Sequence, residues 1–304
     1  MPKPPYPPRT AGVGGLPSVS VDVPIITIFM VLYLCSAASN MYIFQKNRRR
    51  GHKFLISAVL FVFSMARVIT CIMRTVWATR QHNTKVAIAS QIFNNAGVLI
   101  VYLVNLIFAQ RILRAKHPRL GWNTALAQIF HIGYALLAGA LVMVIVATVI
   151  MFYTRNPDTI RACVDCQRAA VIFLFILTAI PLLLVSLSFL LPQSTRGEEA
   201  FGAGSINSKI LLLIMASCVA TALSGYKLGT TWEAPRPLTD PAWYHSRAAF
   251  YCFGYLLEVF ILCIYIFGRV DKRFHVPNGS GKRRSYIMDT IPEYKLHGVR
   301  SESA

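Results

Sequence analysis

The residues best suited to chemistry in this sequence are a few ionisable side chains inside long apolar stretches. Arg67 and Arg74 lie in the stretch 54–76, seven residues apart and therefore on one face of a helix. Glu258, in the stretch 248–268, is the only carboxylate within any apolar stretch of the sequence. A guanidinium within lipid costs roughly 2.5 kcal/mol or more. We therefore predict that Arg67 pairs with Glu258, directly or through water or a polar neighbour.

This pair has two interpretations. At about 1.5 Å of rise per residue, Arg67 and Glu258 lie at comparable depths in two helices that run in opposite directions. The pair is either a structural lock between these helices or the floor of a ligand-binding cavity. In the second case, a ligand with an acidic group would compete with Glu258 for Arg67 and shift the two helices.

Three further polar residues also have two interpretations. Arg74 lies close to Trp77, and we expect its side chain to extend to the outer membrane interface. Asn94 and Asn95 lie in the third apolar stretch, where interhelical hydrogen bonds are the usual role of asparagine. The alternative is that these residues line an outward-facing cavity together with Arg67.

Cys163 and Cys166 are the two cysteines that share a loop, 153–168, in the sequence-based assignment. We predict a loop disulfide between them, with two free thiols as the alternative. Zinc usually takes four protein ligands, and no second cysteine pair matches this one. We therefore expect no metal site.

The composition is that of a membrane protein. The chain is 55% hydrophobic and 14% charged, with a mean hydropathy of +0.51, whereas soluble domains are about 25% charged. The net charge of +19 would suggest nucleic acid in a soluble protein. Here the charge lies between the apolar stretches, so we expect no nucleic-acid partner.

Seven apolar stretches are long enough to cross a bilayer as helices, which takes about 20 residues. The sequence therefore predicts an all-α, polytopic membrane protein with a bundle of seven transmembrane helices. We expect a disordered extracellular tail over 1–23, the helical domain over 24–268 and a basic, mostly disordered cytoplasmic tail over 269–304. The predicted spans are 24–44, 54–76, 86–109, 125–152, 169–191, 210–228 and 248–268.

Taken together, the loops after the first, third and fifth spans and the C-terminal tail contain more lysine and arginine than the N-terminal tail and the other loops, and the first two of these loops decide the orientation. Because basic loops stay in the cytoplasm, we predict an outside N-terminus and a cytoplasmic C-terminus. The basic segments 46–53, 111–119 and 282–284 would then face anionic lipids of the cytoplasmic leaflet. Ser285 follows Arg283 and Arg284, a sequence that resembles a kinase target.

The loop 227–247 contains Trp232, Trp243, Tyr244 and His245. Tryptophan and tyrosine favour the membrane interface. The alternative is that this loop is an outer lid over a ligand site.

Three segments of the sequence carry a family resemblance: RTVWATRQHN, NLIFAQRILRAKHPRLGW and GRVDKRFHVPNGS. They resemble a family of fungal seven-span membrane proteins of unknown function, some of which are labelled family-C-like G-protein-coupled receptors. The resemblance covers about residues 24–280. It implies a fungal source, a seven-helix fold and no known cofactor, and it assigns no functional residues.

From these features we expect a receptor-like integral membrane protein with a small-molecule or lipid ligand and a cytoplasmic signalling partner. The alternative is a lipid or small-molecule exporter, by analogy with fungal seven-span lipid-translocating exporters of similar architecture. We do not expect an enzyme or a cofactor, because the spans supply no nucleophile motif or metal cluster. The plasma membrane is the default location.

Overall fold

The computed structural model describes residues 4–7, 10–52, 54–191, 198–277 and 279–286. Seven helices are long and apolar enough to cross a membrane, which confirms the predicted all-α class and the number of spans. They are α1 (Val19–Arg49), α2 (Leu55–Thr79), α3 (Thr84–Lys116), α4 (Thr124–Tyr153), α5 (Pro157–Leu190), α6 (Ile206–Trp232) and α7 (Arg247–Phe267). The shortest has 21 residues and thus spans about 31 Å, the thickness of the hydrocarbon core. The chain is a multi-pass membrane protein.

Polar caps fix where several helices begin. The side chains of Asn83, Asn123 and Asn156 accept hydrogen bonds from the first backbone N–H groups of α3, α4 and α5. Such caps satisfy donors that have no partner within the helix. Asn156 and Pro157 start α5 twelve residues before the predicted span at 169, because proline fits the first helical position well. The predicted loop 153–168 is therefore mostly helical.

The N-terminal segment differs from the predicted disordered tail over 1–23. Helix α1 begins at Val19, and residues 10–18 lie against the bundle. The backbone N–H of Ala11 donates to the carbonyl oxygen of Arg236 at 2.9 Å. Gln81 Nε2 donates to the carbonyl oxygen of Pro17 at 2.7 Å. Residues 1–3 and 8–9 of the predicted tail lie outside the described residues.

Helix α3 is the central helix of the bundle. It contacts α2, α4, α5 and α6, and Asn105 accepts a hydrogen bond at 2.7 Å from Tyr265 of α7. Helix α1 packs on α2 and α7, which closes the ring of helices. Two ends result. The N-terminal end contains residues 10–18 and the loop 233–246, and the C-terminal end contains residues 198–205 and 268–286.

The C-terminal end is also more ordered than the predicted tail over 269–304. Nη1 of Arg111 in α3 donates to the carbonyl oxygen of Phe274. Burial alone would raise the pKa of Asp271, but hydrogen bonds from Arg269 and Asn47 outweigh it and lower the pKa. These contacts fix residues 269–277 against the helices. Residues 287–304 of the predicted tail lie outside the described residues.

A close backbone approach at this end yields a prediction about stability. Gly121, in the short helix Pro118–Gly121, faces α3 so closely that a Cβ atom would lie 2.5 Å from Cα of Arg114. We expect Gly121→Ala to destabilise the protein by about 1–3 kcal/mol through overpacking. The apparent melting temperature in detergent measures this effect. Gly133→Ala is the matched control, since a Cβ there meets nothing within 4 Å; equal melting temperatures for the two variants would contradict the prediction.

Candidate functional site

The predicted Arg67–Glu258 ion pair is present at the centre of the bundle. Nη2 of Arg67 in α2 donates to Oε1 of Glu258 in α7. The two residues are 2% and 1% exposed, so water does not screen the pair. The pair joins two helices that are far apart in sequence. A charge of either sign left alone here would be costly.

A break in α3 supplies a second partner for Arg67. Regular α-helix stops at Ala96 and resumes at Leu99. Carbonyl oxygens in the last turn of a helix have no hydrogen-bond partner within that helix. The carbonyl oxygen of Asn94 is therefore available, and it accepts a hydrogen bond at 2.9 Å from Nη1 of Arg67. Gly97 makes room for the guanidinium, since a Cβ there would lie 3.1 Å from Nε of Arg67.

Glu258 is held from the other side by Tyr33 of α1. The Tyr33 hydroxyl lies 3.1 Å from Oε2 of Glu258 and 3.2 Å from the carbonyl oxygen of Tyr255, and it can donate to either. The turn just before Glu258, Phe250–Leu256, is π-helical. Such turns are rare and are frequent at functional sites. Residues from α1, α2, α3 and α7 therefore meet at one buried ion pair.

Arg74 does not extend to the membrane interface, so that prediction was wrong. Its side chain is buried, and Nη2 lies 3.2 Å from Oδ1 of Asp22 and 2.8 Å from the carbonyl oxygen of Gly14. Asp22 also accepts a hydrogen bond at 2.6 Å from Tyr251 and pairs with Arg247 at 3.2 Å. A carboxylate within reach offers Arg74 a better environment than lipid, and two arginines share this one acid.

An internal cavity of about 180 Å³ lies over the Arg67–Glu258 pair. Its walls come from α3 to α7 and from Val13 of the N-terminal segment, and its polar lining includes Arg67, Asn94, Asn95 and Glu258. A cavity of about 150 Å³ is known to hold one benzene molecule. The space therefore suits one small organic molecule.

Asn94 and Asn95 also line a neighbouring cavity of about 530 Å³ at the N-terminal end. Arg74 borders this second cavity, whereas Arg67 borders the first. The expected single cavity containing both arginines is thus two adjoining spaces. Residues Val13 and Phe250 border both of them.

Lys227 adds a cation to the first cavity. It is the charged residue among the five from α6 that line this cavity. Within the described ranges 4–7, 10–52, 54–191, 198–277 and 279–286, its ammonium forms no ion pair with an acidic side chain. Two more donors at this cavity are buried without a hydrogen-bond partner in the described structure: Nε of Arg67 and the hydroxyl of Tyr102. Buried polar groups normally have partners. These three groups therefore point to a ligand or water with acceptor oxygens.

Some residues of the loop 227–247 fit a position at the membrane interface, and others fit a lid over a ligand site. Trp232 and Trp243 are more than half exposed, as membrane-interface residues would be, whereas Tyr244 and His245 are buried. His245 lines the second cavity. Burial lowers the pKa of His245, and the charge of Arg236 lowers it further, which favours the neutral form of this imidazole.

The predicted disulfide is absent. Cys163 and Cys166 are both free, and both lie within α5 rather than in a loop. Residues three apart in a helix have Cβ atoms about 5–6 Å apart, whereas a disulfide requires about 3.5–4.5 Å. The helix that begins at Pro157 therefore excludes the bond. Among the described residues, no group of three His, Cys, Asp or Glu side chains could hold a metal ion.

Comparison with known proteins identifies a family whose description assigns no activity. Residues 118–206 and 202–275 match the model of a family described as a protein of unknown function (DUF3112). The matched region is more than half of the 304 residues. The chain belongs to this family. No curated protein and no solved structure matches the chain.

The family match covers the whole chain from α4 to α7, including Lys227 and Glu258. It assigns no chemistry to these residues.

Asp22 and Lys227 are the site residues that sequence reasoning missed. The predicted first span began at Pro24 and so excluded Asp22, although Ser18 before an apolar stretch is a signal for an earlier helix start. Lys227 lies at the end of the predicted sixth span, 210–228, but it was counted with the loop 227–247 and was not considered as a site residue. One further helical turn at the start of the first span would have placed Asp22 within it.

The buried pair predicts a strongly non-additive mutant cycle. We expect Arg67→Met or Glu258→Gln alone to destabilise the protein by about 3–5 kcal/mol, because each leaves one buried charge unpaired. The double variant should recover most of that loss in melting temperature. The exposed pair Arg236–Asp240 is the control, with effects of about 1 kcal/mol or less. Additive losses at Arg67 and Glu258 would contradict a coupled pair.

The second cluster predicts that Asp22 anchors the N-terminal segment. Asp22→Asn keeps the side-chain shape but leaves Arg74 without a countercharge, and we expect a loss of about 3–5 kcal/mol. Asp165→Asn, at a largely exposed ion pair, should cost about 1 kcal/mol or less. The loss of stability in both variants is measured by the melting temperature and by the rate of proteolysis near residue 10. An Asp22→Asn protein as stable as Asp165→Asn would show that this cluster is not an anchor.

Proposed function

We propose that this protein is a receptor-like membrane protein that binds a small organic acid in the cavity over the Arg67–Glu258 pair. The observation that carries the proposal is the ammonium of Lys227, which forms no ion pair within the described part of the chain, in a small cavity that Arg67 and Tyr102 also line with two further donors, Nε and the hydroxyl. A carboxylate offers acceptor oxygens and the opposite charge, which suits all three donors.

The rest of the lining supports an amphipathic ligand. The apolar part of the lining includes Leu99, Leu141, Val144, Val171 and Leu174, which would hold a short hydrocarbon chain. Small-molecule sites are typically apolar with a few polar groups that fix orientation. A saturated acid of about six to eight carbons has a size comparable with the space available.

The ion pair offers a route from binding to helix movement. An acidic ligand near Nε of Arg67 would compete with Glu258 for the guanidinium. It would so weaken the ion pair that joins α2 to α7 and allow these helices to shift. The resemblance to fungal seven-span proteins labelled as receptors agrees with this proposal. We propose binding rather than catalysis as the activity.

A transporter is the second candidate, and the adjoining cavities favour it. Asn94 and Asn95 border both the first and the second cavity. Gln91 borders the second and a third of about 410 Å³. Such a series of spaces could carry a small molecule from one end of the bundle towards the ion pair.

For orientation, we propose that the N-terminal end faces outside and the C-terminal end faces the cytoplasm of a plasma membrane. The excess of lysine and arginine near the C-terminal end supports this. Arg48, Arg49 and Arg50 are among the basic residues there that would meet anionic lipid and leave room for a signalling partner.

Ligand binding is tested with hexanoate on the full-length protein in nanodiscs of zwitterionic lipid. We expect hexanoate, but not the uncharged hexanamide, to raise the melting temperature and to give a calorimetric binding signal. Lys227→Met should weaken hexanoate binding roughly tenfold or more, the effect of losing a hydrogen bond to a charged group. Lys85→Met, at an exposed position, is the control. Equal responses to both compounds, or unchanged binding by Lys227→Met, would refute an acid-binding site.

Uptake of labelled hexanoate into liposomes separates the two candidates. Binding without accelerated uptake supports the receptor. Uptake that depends on Lys227 supports the transporter.

A further inference from the structure

The C-terminal end contains a contact that neither the cavity nor the ion pairs explain. Glu199 is 8% exposed. Its Oε1 accepts a hydrogen bond at 3.0 Å from the hydroxyl of Ser285, and its Oε2 accepts one at 2.7 Å from the backbone N–H of Tyr286. We call this contact of Ser285 and Tyr286 with Glu199 the C-terminal latch.

The latch places an aromatic ring in the interior. Tyr286 is 4% exposed, and its ring lies 5.3 Å from the rings of both Trp122 and Phe201. Glu199 is in turn fixed to α3, because its backbone N–H donates to the carbonyl oxygen of Ala115 at 2.9 Å. The latch therefore ties the chain after α7 to the central helix.

The sequence before the latch is strongly basic: Lys282, Arg283 and Arg284 directly precede Ser285. Arg283 and Arg284 are exposed, and Ser285 is partly exposed. Charge patterns of this kind determine which kinases act on a serine. Glu199 is the acidic group that the Ser285 hydroxyl contacts directly.

We propose that Ser285 is a phosphorylation site for a basophilic protein kinase and that phosphorylation opens the C-terminal latch. The kinase transfers the γ-phosphoryl group of ATP to Oγ of Ser285. A bond forms between Oγ and the γ-phosphorus, the bond from that phosphorus to the β–γ bridging oxygen breaks, and ADP leaves. The hydroxyl proton passes to the base of the kinase.

Two effects of the phosphate oppose the closed latch. Oγ of Ser285 no longer has a hydrogen to donate to Glu199. The phosphate also brings a charge of about −1.5 to −2 next to a buried carboxylate, and like charges in contact repel strongly. Arg284, which donates to Thr124 at 3.3 Å, would pair with the phosphate instead. Tyr286 would then leave its site beside Trp122.

Hydrogen exchange at the Tyr286 amide measures the latch, because Glu199 accepts that N–H. The full-length protein in nanodiscs is treated with ATP and the catalytic subunit of a basophilic serine kinase, and exchange is followed by mass spectrometry. We expect phosphate at Ser285 and roughly tenfold or faster exchange in the peptide containing Tyr286, as for loss of a hydrogen bond to a charged acceptor. Exchange in α3 should not change.

Two variants separate charge repulsion from simple loss of a hydrogen bond. Ser285→Ala removes the hydroxyl without adding charge and should speed exchange at Tyr286 less than phosphate does. Glu199→Gln keeps an acceptor but removes the repulsion, so phosphorylation should speed exchange less in this variant than in the unmodified chain. Absence of phosphate at Ser285, or equal exchange before and after phosphorylation, would overturn the proposal.

Discussion

A buried guanidinium is the constraint on which the arrangement of helices depends. Arg67 lies in the interior of α2, where an isolated charge is far less stable than in water. It is stabilised by a carboxylate from α7, a backbone carbonyl from the break in α3, and, through Glu258, a hydroxyl from α1. No single neighbouring helix supplies all of these groups. The requirement to solvate one cation therefore brings four helices together at one depth.

The same face of α2 meets a second acid two helical turns away. Arg74 lies about 10 Å along the helix from Arg67, and it pairs with Asp22 at the start of α1, where Tyr251 and Arg247 of α7 also contact the carboxylate. Both ion clusters thus join α2 to α1 and α7. They differ in composition, because the Arg67 cluster is charge-balanced whereas the Asp22 cluster has an excess of positive charge and holds the N-terminal segment.

The space beside these clusters is the basis for proposing an acidic ligand. The Arg67–Glu258 pair is neutral as a unit, so the charge of Lys227 determines the sign of the net charge of the residues that line the cavity. A cation in a small space of low dielectric favours an anion more strongly than it would at an exposed surface. At the opposite end of the bundle, the hydroxyl of Ser285 donates a hydrogen bond to Glu199.

The sequence by itself determined the class of protein, the number of spans and the Arg67–Glu258 pair. Length and hydropathy suffice for the first two, and the third follows because a rare buried cation needs a rare buried acid. Only the tertiary structure decided the partner of Arg74, the position of Lys227 and the state of Cys163 and Cys166. Each of these depends on where a helix begins or ends, and α5 begins about three helical turns before its predicted start. Hydropathy does not resolve such boundaries, because caps and contacts with distant segments fix them.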